Sequence, residues 1–336
     1  MPRATLEAMQ TRTLGRTGRD VSVIGLGTWQ LGADWGDVDE ADALAVLDAA
    51  HAAGVTFFDT ADVYGDGRSE SLIGEWLRRN PGSGVTVATK MGRRLPQEPG
   101  NYTLEHFRAW TDRSRRNLGV ETLDLVQLHC PPTVVYGDDA VYDALDVLVE
   151  EGVIAAYGVS VERVDEALAA ITRPHVANVQ IILNAFRLKP LELVLPSAAA
   201  AGVGIIARVP LASGLLSGRY TADTVFAADD HRNYNRHGEA FDVGETFSGV
   251  DYETGVAAAA EFAALAADAP DATPAQAALA WIAAQRGVST VIPGARSPEQ
   301  ARANAAAGSL ELPPGFDAAV HELYDRRIRA AVHARW

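Results

Sequence analysis

Polar side chains stand at the carboxyl ends of several short apolar runs that predict β-strands. In parallel barrels the reactive groups come from these strand ends, so they are the first positions to consider for chemistry. They are Asp59 after VTFF, Lys90 closing VTVATK, His129 closing LDLVQLH, Ser160 closing AAYGVS, Gln180 within NVQIILN and Arg208 within GIIARVP. Tyr64 follows Asp59 in the next loop. Taken singly, each also has an ordinary structural role as a turn cap, a packing residue or a surface residue.

Lysine is rare in this chain. Of its 29 Lys and Arg residues only two are lysines, Lys90 and Lys189. A lysine in a buried site can shift its pKa or act as a compact point charge in ways that arginine cannot. Because the chain otherwise uses arginine almost throughout, a lysine at a strand end indicates that Lys90 is a candidate catalytic residue.

Eight apolar runs predict the strands that carry these residues. The runs are continuous in Val, Ile and Leu rather than alternating, which suits parallel strands covered on both faces. The predicted strands are 21–27, 55–61, 85–90, 123–130, 155–161, 177–184, 203–210 and 288–294. The predicted helices are 40–54, 69–79, 103–119, 138–152, 162–173, 190–201, 254–268, 274–286 and 298–307. Eight strands, each followed by a helix, predict an α/β fold of the (β/α)8 TIM barrel type.

A doubly wound open sheet is the competing arrangement. It would carry a GxGxxG fingerprint after its first strand, whereas the sequence GLGTWQ at 25–30 ends in glutamine. We therefore favour a barrel, built as one domain over residues 1–336. The segment 212–250, rich in Gly, Asp, Asn and aromatic residues, is longer than ordinary connections and is a candidate lid.

The composition excludes several classes of function. The 336 residues are 48% hydrophobic and carry a formal net charge of −15 at pH 7. This acidity argues against binding nucleic acid or an anionic membrane, although a local basic pocket for a small anion stays open. The single cysteine, Cys130, excludes an intramolecular disulfide framework and a multi-thiolate zinc site. Without a secretory signal or a stretch of the roughly 20 apolar residues that a membrane span needs, the sequence predicts a cytoplasmic protein.

Five segments together resemble the aldo-keto reductase superfamily, from about Met9 to Asn304. They are LGRTGRDVSVIGLGTWQLG, GVTFFDTADVYGDGRSESLIGEWL, VTVATK, LDLVQLH and IPGARSPEQARAN. The resemblance is to the bacterial branch that is similar to potassium-channel β subunits. It implies a barrel whose base is capped by an N-terminal β-hairpin, an extra C-terminal helix, and NAD(P)H-dependent reduction of a small carbonyl substrate.

The resemblance implies a catalytic tetrad of Asp59, Tyr64, Lys90 and His129. Hydride that arrives at a carbonyl carbon leaves an alkoxide, so a proton donor must reach the oxygen. Tyr64 is expected to be this donor, with its pKa lowered by the Lys90 ammonium, while Asp59 keeps Lys90 charged. His129 is expected to orient the carbonyl oxygen. Because the cofactor carries the hydride, no metal is expected.

The resemblance also implies a site for NADPH. The expected cofactor-binding residues are Thr28, Trp29, Asp59, Ser160, Gln180, Arg208, Pro210, Leu211, Gly214, Leu215, Ser217, Arg219, Gly294, Arg296, Gln300 and Asn304. Ser297 is predicted to cap the last of the nine helices in a capping box with Gln300, and the helix N-terminus attracts phosphate. Arg296, with help from Arg219, favours NADPH over NADH.

Two positions depart from the pattern of the family. Many relatives have Ser-Asn where this chain has Ser160 and Val161, so one amide contact to the nicotinamide is absent. Many have an aromatic residue where this chain has Arg208, whose guanidinium plane could stack on the nicotinamide instead. Both departures concern the affinity for the cofactor rather than the type of reaction.

Two other functions remain open at this point. A barrel aldolase would use Lys90 as a Schiff-base nucleophile, which requires a lysine without a carboxylate partner. A regulatory subunit would bind the nicotinamide nucleotide without significant turnover. Substrate selectivity is expected from the loops 91–102, 131–139 and 212–250. The arginine-rich segment 321–336 is expected to pack beside the barrel mouth or to join copies of the chain in a homo-oligomer.

Overall fold

Parallel strands form the centre of the fold. The structure is a computed structural model that describes residues 9–32, 39–269 and 272–336. After the hairpin strands β1 (Thr11–Thr13) and β2 (Asp20–Ser22), the strands within these ranges are β3 (Leu26–Gly27), β4 (Phe57–Asp59), β5 (Thr86–Met91), β6 (Leu125–His129), β7 (Tyr157–Ser160), β8 (Val176–Ile182), β9 (Gly204–Arg208) and β10 (Val288–Val291). Strands β3 to β10 pair in chain order, and all of these pairs are parallel.

The first and last strands of this sheet meet and close the barrel. The amide of Gly25 donates to the carbonyl of Val291 over 2.7 Å, and the amide of Gly27 donates to that of Pro293 over 3.0 Å. Further parallel bridges join Ile24 to Val291 and Gly27 to Gly294. The predicted (β/α)8 barrel is confirmed, and the open doubly wound sheet is excluded.

Helices follow the strands as the sequence pattern predicted. In the described ranges they are α1 (Glu40–Ala52), α2 (Arg68–Arg79), α3 (Leu104–Leu118), α4 (Asp139–Glu150), α5 (Val164–Ile171), α6 (Val194–Ala201), α7 (His231–Tyr234), α8 (Tyr252–Ala266), α9 (Pro274–Ala284), α10 (Pro298–Ala306), α11 (Phe316–Arg327) and α12 (Arg329–Val332). None of these helices combines the length and the apolar character that a membrane crossing requires. Because all strands of the barrel are parallel, their carboxyl ends lie at one face, the mouth of the barrel, which is surrounded by the loops that lead into the helices.

The N-terminal hairpin closes the base of the barrel. Strands β1 and β2 pair antiparallel, and Leu14 and Val21 are fully buried beside Phe57 and other interior side chains. Gly15 has a φ of 49°, and a Cβ at this position would lie 2.1 Å from the amide nitrogen of Gly204. Only glycine permits this close approach. The predicted first strand, 21–27, is accordingly divided between the hairpin and the barrel.

The long segment 212–250 is folded against the mouth. It contains 3-10 turns at Ala212–Ser217, Val243–Glu245 and Phe247–Gly249 besides α7. The Ser248 hydroxyl accepts a 2.7 Å hydrogen bond from Asn184, which anchors the segment to the residues after β8. The indole of Trp336 donates to Asp242 over 3.0 Å and packs on the Arg187 guanidinium, 3.7 Å from the ring centre. The end of the chain therefore packs beside the mouth and supports this segment.

Candidate active site

A cavity of about 390 Å³ opens at the carboxyl ends of the strands. Tyr64 and His129 line it, and so do most of the expected cofactor-binding residues. These are Thr28, Trp29, Asp59, Ser160, Gln180, Arg208, Pro210, Leu211, Gly214, Gly294, Arg296 and Gln300. Residues that are separated by more than 200 positions in the sequence are thus brought to one surface by the closed barrel.

Lys90 and Asp59 form a buried ion pair at the ends of β5 and β4. Their side chains are 1% and 3% exposed, and Lys90 Nζ donates to Asp59 Oδ1. Nζ also donates to the Thr60 carbonyl over 2.8 Å. The second carboxylate oxygen of Asp59 accepts from Gln127 at 3.2 Å and from Gln180 at 2.8 Å. Because these partners occupy the carboxylate and the ammonium on several sides, the position of Nζ is fixed.

Tyr64 lies on a 3-10 turn, Tyr64–Gly67, that follows β4. Its hydroxyl is 3.4 Å from Lys90 Nζ, and its ring stacks on Trp29 with 6.0 Å between ring centres. The turn packs tightly on a neighbouring one, since a Cβ on Gly65 would lie 2.0 Å from the carbonyl oxygen of Gly32. This close contact, which glycine with its φ of 56° allows, holds the phenol over the lysine.

Burial raises the pKa of Tyr64 above the ordinary value of 10, although Lys90 acts in the opposite direction. Lys90 therefore does not produce the net lowering that we expected, because burial disfavours the phenolate more than one ammonium favours it. Burial also lowers the pKa of Lys90, but Asp59 and Tyr64 more than compensate, and the net shift is upward. At neutral pH the site thus holds a protonated phenol beside a charged ammonium.

His129 faces Tyr64 from the end of β6. The two rings lie edge to face with 5.9 Å between their centres. Burial holds the pKa of His129 well below 6.5, and the nearby cations Arg93, Lys90 and Arg208 lower it further. Its buried Nδ1 has no hydrogen-bond partner among the described residues. His129 is therefore a neutral imidazole that meets the phenol edge to face.

Arg208, at the end of β9, is held between two carboxylates. It lies 2.7 Å from Glu245 and 2.9 Å from Glu162, and all three side chains are at least 86% buried. Its Nε has no partner among the described residues. Burial raises the pKa of Cys130, which lies beside these groups, to about 12, so its thiol stays protonated. The guanidinium that we expected to stack on the nicotinamide thus belongs to a network of buried charges.

The far end of the cavity lies at the start of α10. Ser297 caps this helix by accepting from the Gln300 amide at 3.3 Å. The Gln300 side chain does not complete the predicted capping box, because its Oε1 accepts from the Arg296 amide at 2.8 Å instead. Arg296 and Gln300 both line the cavity, at the N-terminal end of this helix.

Four of the expected cofactor-binding residues lie outside the cavity lining. Leu215 is fully buried in the core, and Arg219 is exposed to solvent. The hydroxyl of Ser217 donates to the Gly214 carbonyl over 2.6 Å, and Asn304 donates to the Gly294 carbonyl over 3.1 Å. Ser217 and Asn304 thus support two glycines that do line the cavity.

Other lining residues were not named singly from the sequence, although seven of them lie in the predicted selectivity loops 91–102 and 212–250. They are Gly27, Gln30, Arg93, Val209, Ser213, Tyr220, His231, Arg232, Phe241, Glu245, Ile292 and Pro293. Arg93 follows the strand-end Lys90 by three residues, which was an available signal. Glu245 lies in the long segment, where no strand end or spacing marks it. The segment therefore contributes directly to the wall of the cavity.

Comparison with known proteins identifies the family. The model of the Aldo/keto reductase family matches residues 23–325. The chain belongs to this family. It is 36% identical over 299 residues to an uncharacterized oxidoreductase of Mycobacterium tuberculosis, covering 87% of this chain and 86% of that protein. It is also 30% identical over 315 residues to a probable voltage-gated potassium channel subunit beta of Oryza sativa, covering 87% and 89%. The chain is thus an oxidoreductase of the aldo/keto reductase family.

Solved structures of this family share the fold. A glycerol dehydrogenase from Gluconobacter oxydans superposes with a TM-score of 0.77 at 28% identity, covering 96% of this chain and 97% of that chain. An aldo-keto reductase from Klebsiella pneumoniae in complex with NADPH superposes with a TM-score of 0.71 at 25% identity, covering 94% and 95%. The aldo/keto reductase barrel thus extends over almost the whole chain.

Proposed function

We propose that this reductase converts an aldehyde or ketone to an alcohol, with NADPH as the hydride donor and Tyr64 as the proton donor. The observation that carries the proposal is the buried pair of Lys90 and Asp59, whose ammonium lies 3.4 Å from the Tyr64 hydroxyl at the cavity wall. A charged lysine that is fixed beside a protonated phenol is suited to support proton transfer to an oxygen that gains negative charge.

The residues of the cavity fit a nicotinamide nucleotide. The lining is continuous from Tyr64 and His129 to Arg296 and Gln300, so one extended molecule can reach both ends. Arg208 Nε is buried without a partner and can donate to such a ligand. Arg296 has no carboxylate partner among the described residues, which suits a phosphate and supports NADPH over NADH. The NADPH in the structure of the Klebsiella relative supports the same cofactor.

The chemistry of the cofactor, when it is bound, is the donation of hydride to the carbonyl carbon. Tyr64 and His129 bind the carbonyl oxygen from two sides and orient the carbonyl group. As negative charge develops on that oxygen, the Tyr64 hydroxyl gives up its proton to it. Lys90 stabilises the phenolate that remains, and Asp59 holds Lys90 charged and in place. Solvent then returns a proton to Tyr64.

Two alternatives are weighed against this function. An aldolase requires a neutral amine on Lys90, whereas the ion pair with Asp59 keeps this lysine protonated. A regulatory subunit has more support, since a potassium channel subunit beta is among the relatives of the chain. Such a subunit would bind the nucleotide but would not need the intact arrangement of proton donor and lysine that the structure contains.

The test is NADPH oxidation, followed by absorbance, over aromatic aldehydes, sugars, dicarbonyls and aldehyde acids. We expect turnover with at least one class and a higher kcat/KM with NADPH than with NADH. Nucleotide binding without turnover on the whole panel would replace the proposal with the regulatory function. Trapping of the substrate on Lys90 by borohydride, without nucleotide, would replace it with the aldolase.

A further inference from the structure

Arg93 stands in the cavity wall, three residues beyond Lys90 and just after the end of β5. Its Nε donates to the main-chain carbonyl of His129 over 3.1 Å, which fixes the guanidinium beside the histidine. The side chain is 23% exposed, and the cavity that it lines also contains Tyr64. A positive charge is therefore held close to the position where the carbonyl oxygen of a substrate would bind.

The terminal nitrogens of Arg93 are not engaged in hydrogen bonds to any of the described residues. The nearest carboxylate oxygen is Glu162 Oε1, at 3.7 Å, which is beyond hydrogen-bond distance. The two other arginines nearby differ in this respect. Arg208 contacts Glu245 at 2.7 Å and Glu162 at 2.9 Å, and Arg94 contacts Asp66 at 2.6 Å outside the cavity. Arg93 thus lines the cavity with terminal nitrogens that have no hydrogen-bond partner among the described residues.

Glu162 is a weak counterion for Arg93. Its Oε2 is taken by Arg208, while its Oε1 is buried without a hydrogen-bond partner. Burial, reinforced by Glu245, raises the pKa of Glu162 to about 7 against the lowering by Arg208, so a fraction of this carboxyl is neutral at physiological pH. Lys90 is neutralised by Asp59, and Arg208 by Glu245. Arg93 is therefore left with one counterion, Glu162, which is only partly ionised and lies beyond hydrogen-bond distance.

We propose that Arg93 is a specificity-determining residue and that the carbonyl substrate carries a carboxylate, which the open guanidinium of Arg93 binds. The inference rests on the proposed function and deepens it by naming the substrate class, an aldehyde acid or oxo acid. The planar fork of a guanidinium matches a carboxylate with two parallel hydrogen bonds. A phosphate dianion fits less well, because the single charge of Arg93 balances one negative charge and not two.

The test compares carbonyl substrates that differ in their acidic group but share the same scaffold within each set. They are 4-formylbenzoate, its methyl ester and 4-formylphenyl phosphate, with 4-oxobutanoate and its methyl ester as a shorter and more flexible pair. For the wild-type enzyme we expect kcat/KM to be at least about tenfold higher for the acid than for the ester in one or both pairs, mostly through KM. A charge-assisted hydrogen-bonded pair corresponds to a factor of about 10 to 100.

The variant Arg93→Gln removes the charge, and we expect it to reduce kcat/KM for the acid at least tenfold more than for the ester. Arg93→Lys keeps the positive charge but lacks the planar guanidinium, and we expect it to retain part of the preference for the acid over the ester. Arg108→Gln is the matched control, because Arg108 is an exposed arginine that pairs with Glu151 on the outside of the barrel. We expect the control to leave the preference unchanged.

Several outcomes would overturn the inference while leaving the reductase function intact. These are equal kcat/KM for acid and ester in the wild type, a higher kcat/KM for the phosphate, and equal losses for acid and ester in Arg93→Gln. Calorimetric titration of the enzyme with NADP+ and 4-(hydroxymethyl)benzoate, the expected product, gives a second readout that needs no turnover. Binding that Arg93→Gln weakens about tenfold or more supports the carboxylate site, and binding that it does not weaken contradicts it.

Discussion

Two clusters of buried charges flank the cavity, and they are built differently. The tyrosine cluster, Asp59, Lys90 and Tyr64, joins the end of β4, the end of β5 and the turn after β4. The Lys90 ammonium and both carboxylate oxygens of Asp59 have partners at hydrogen-bond distance. The arginine cluster, Arg93, Arg208, Glu162 and Glu245, joins two strand ends to a loop and to the long segment. There Glu162 Oε1 and Arg208 Nε are buried without partners.

The two clusters therefore suit different tasks. A fully hydrogen-bonded network of side chains has one arrangement, which suits a group that must present a proton at a fixed point. Buried polar atoms without partners carry a free-energy cost that a ligand can relieve by supplying the missing hydrogen bonds. The tyrosine cluster is thus already fully hydrogen-bonded, whereas the arginine cluster would gain its missing hydrogen bonds from the cofactor and the substrate that we propose.

The largest expected effect comes from removing the proton donor of the tyrosine cluster. Tyr64→Phe keeps the ring that stacks on Trp29 but lacks the hydroxyl. We expect kcat to fall by about 10²- to 10⁴-fold, the usual contribution of a positioned acid, and the Kd for NADPH to change by less than about threefold. Steady-state kinetics and fluorescence titration measure the two quantities. Unchanged turnover would remove Tyr64 from the mechanism.

A smaller effect is expected from the arginine cluster. Glu245→Gln removes one of the two carboxylates of Arg208, but Glu162 remains at 2.9 Å. Complete loss of a buried ion-pair partner costs roughly 3–5 kcal/mol, so with one partner left we expect the free energy of unfolding to fall by about 2 kcal/mol. Chemical denaturation measures this change. The control is Glu239→Gln, at an exposed glutamate of the same segment, and equal effects of the two variants would contradict a special role of Glu245.

The two clusters also differ in how far the sequence predicts them. Continuous Val, Ile and Leu runs predict the parallel strands, and the strand ends single out Asp59, Lys90 and His129 as candidates. The resemblance to the aldo-keto reductases then joins them with Tyr64. Glu245 lies 83 residues from Glu162, in a segment without regular strands or long helices. No spacing connects the two glutamates, so only the folded chain brings them to one arginine.

The sequence also could not predict the balance between burial and charge. A lysine beside a tyrosine predicted a lowered pKa for Tyr64, yet burial outweighs the lysine and the net shift is upward. The two carboxylates that hold Arg208 were likewise not apparent from the sequence, because one of them comes from the distant long segment. Residue types and spacing do not give the solvent exposure of a side chain or its partners from distant loops.

A third expected effect is a dependence of the stability on pH, which distinguishes the two carboxylates of the arginine cluster. Burial raises the pKa of Glu162 to about 7. Burial acts in the same direction on Glu245, but Arg208 and Arg93 outweigh it, so the pKa of Glu245 is lowered. Folding therefore favours the protonated form of Glu162, and the stability of the wild-type protein falls, from this group, as the pH rises from about 4.5 to about 7. Glu162→Gln has no such proton to lose.

Consequently, the free energy of unfolding of Glu162→Gln, relative to that of the wild type, should increase by roughly 2–3 kcal/mol between pH 5 and pH 8. Thermal or denaturant unfolding at the two pH values measures this, and Glu150→Gln, at an exposed position of α4, is the control. A relative stability that stays constant or falls with pH would mean that Glu162 is ionised throughout. Arg93 would then have a full counterion, and the contrast between a complete and an incomplete cluster would not hold.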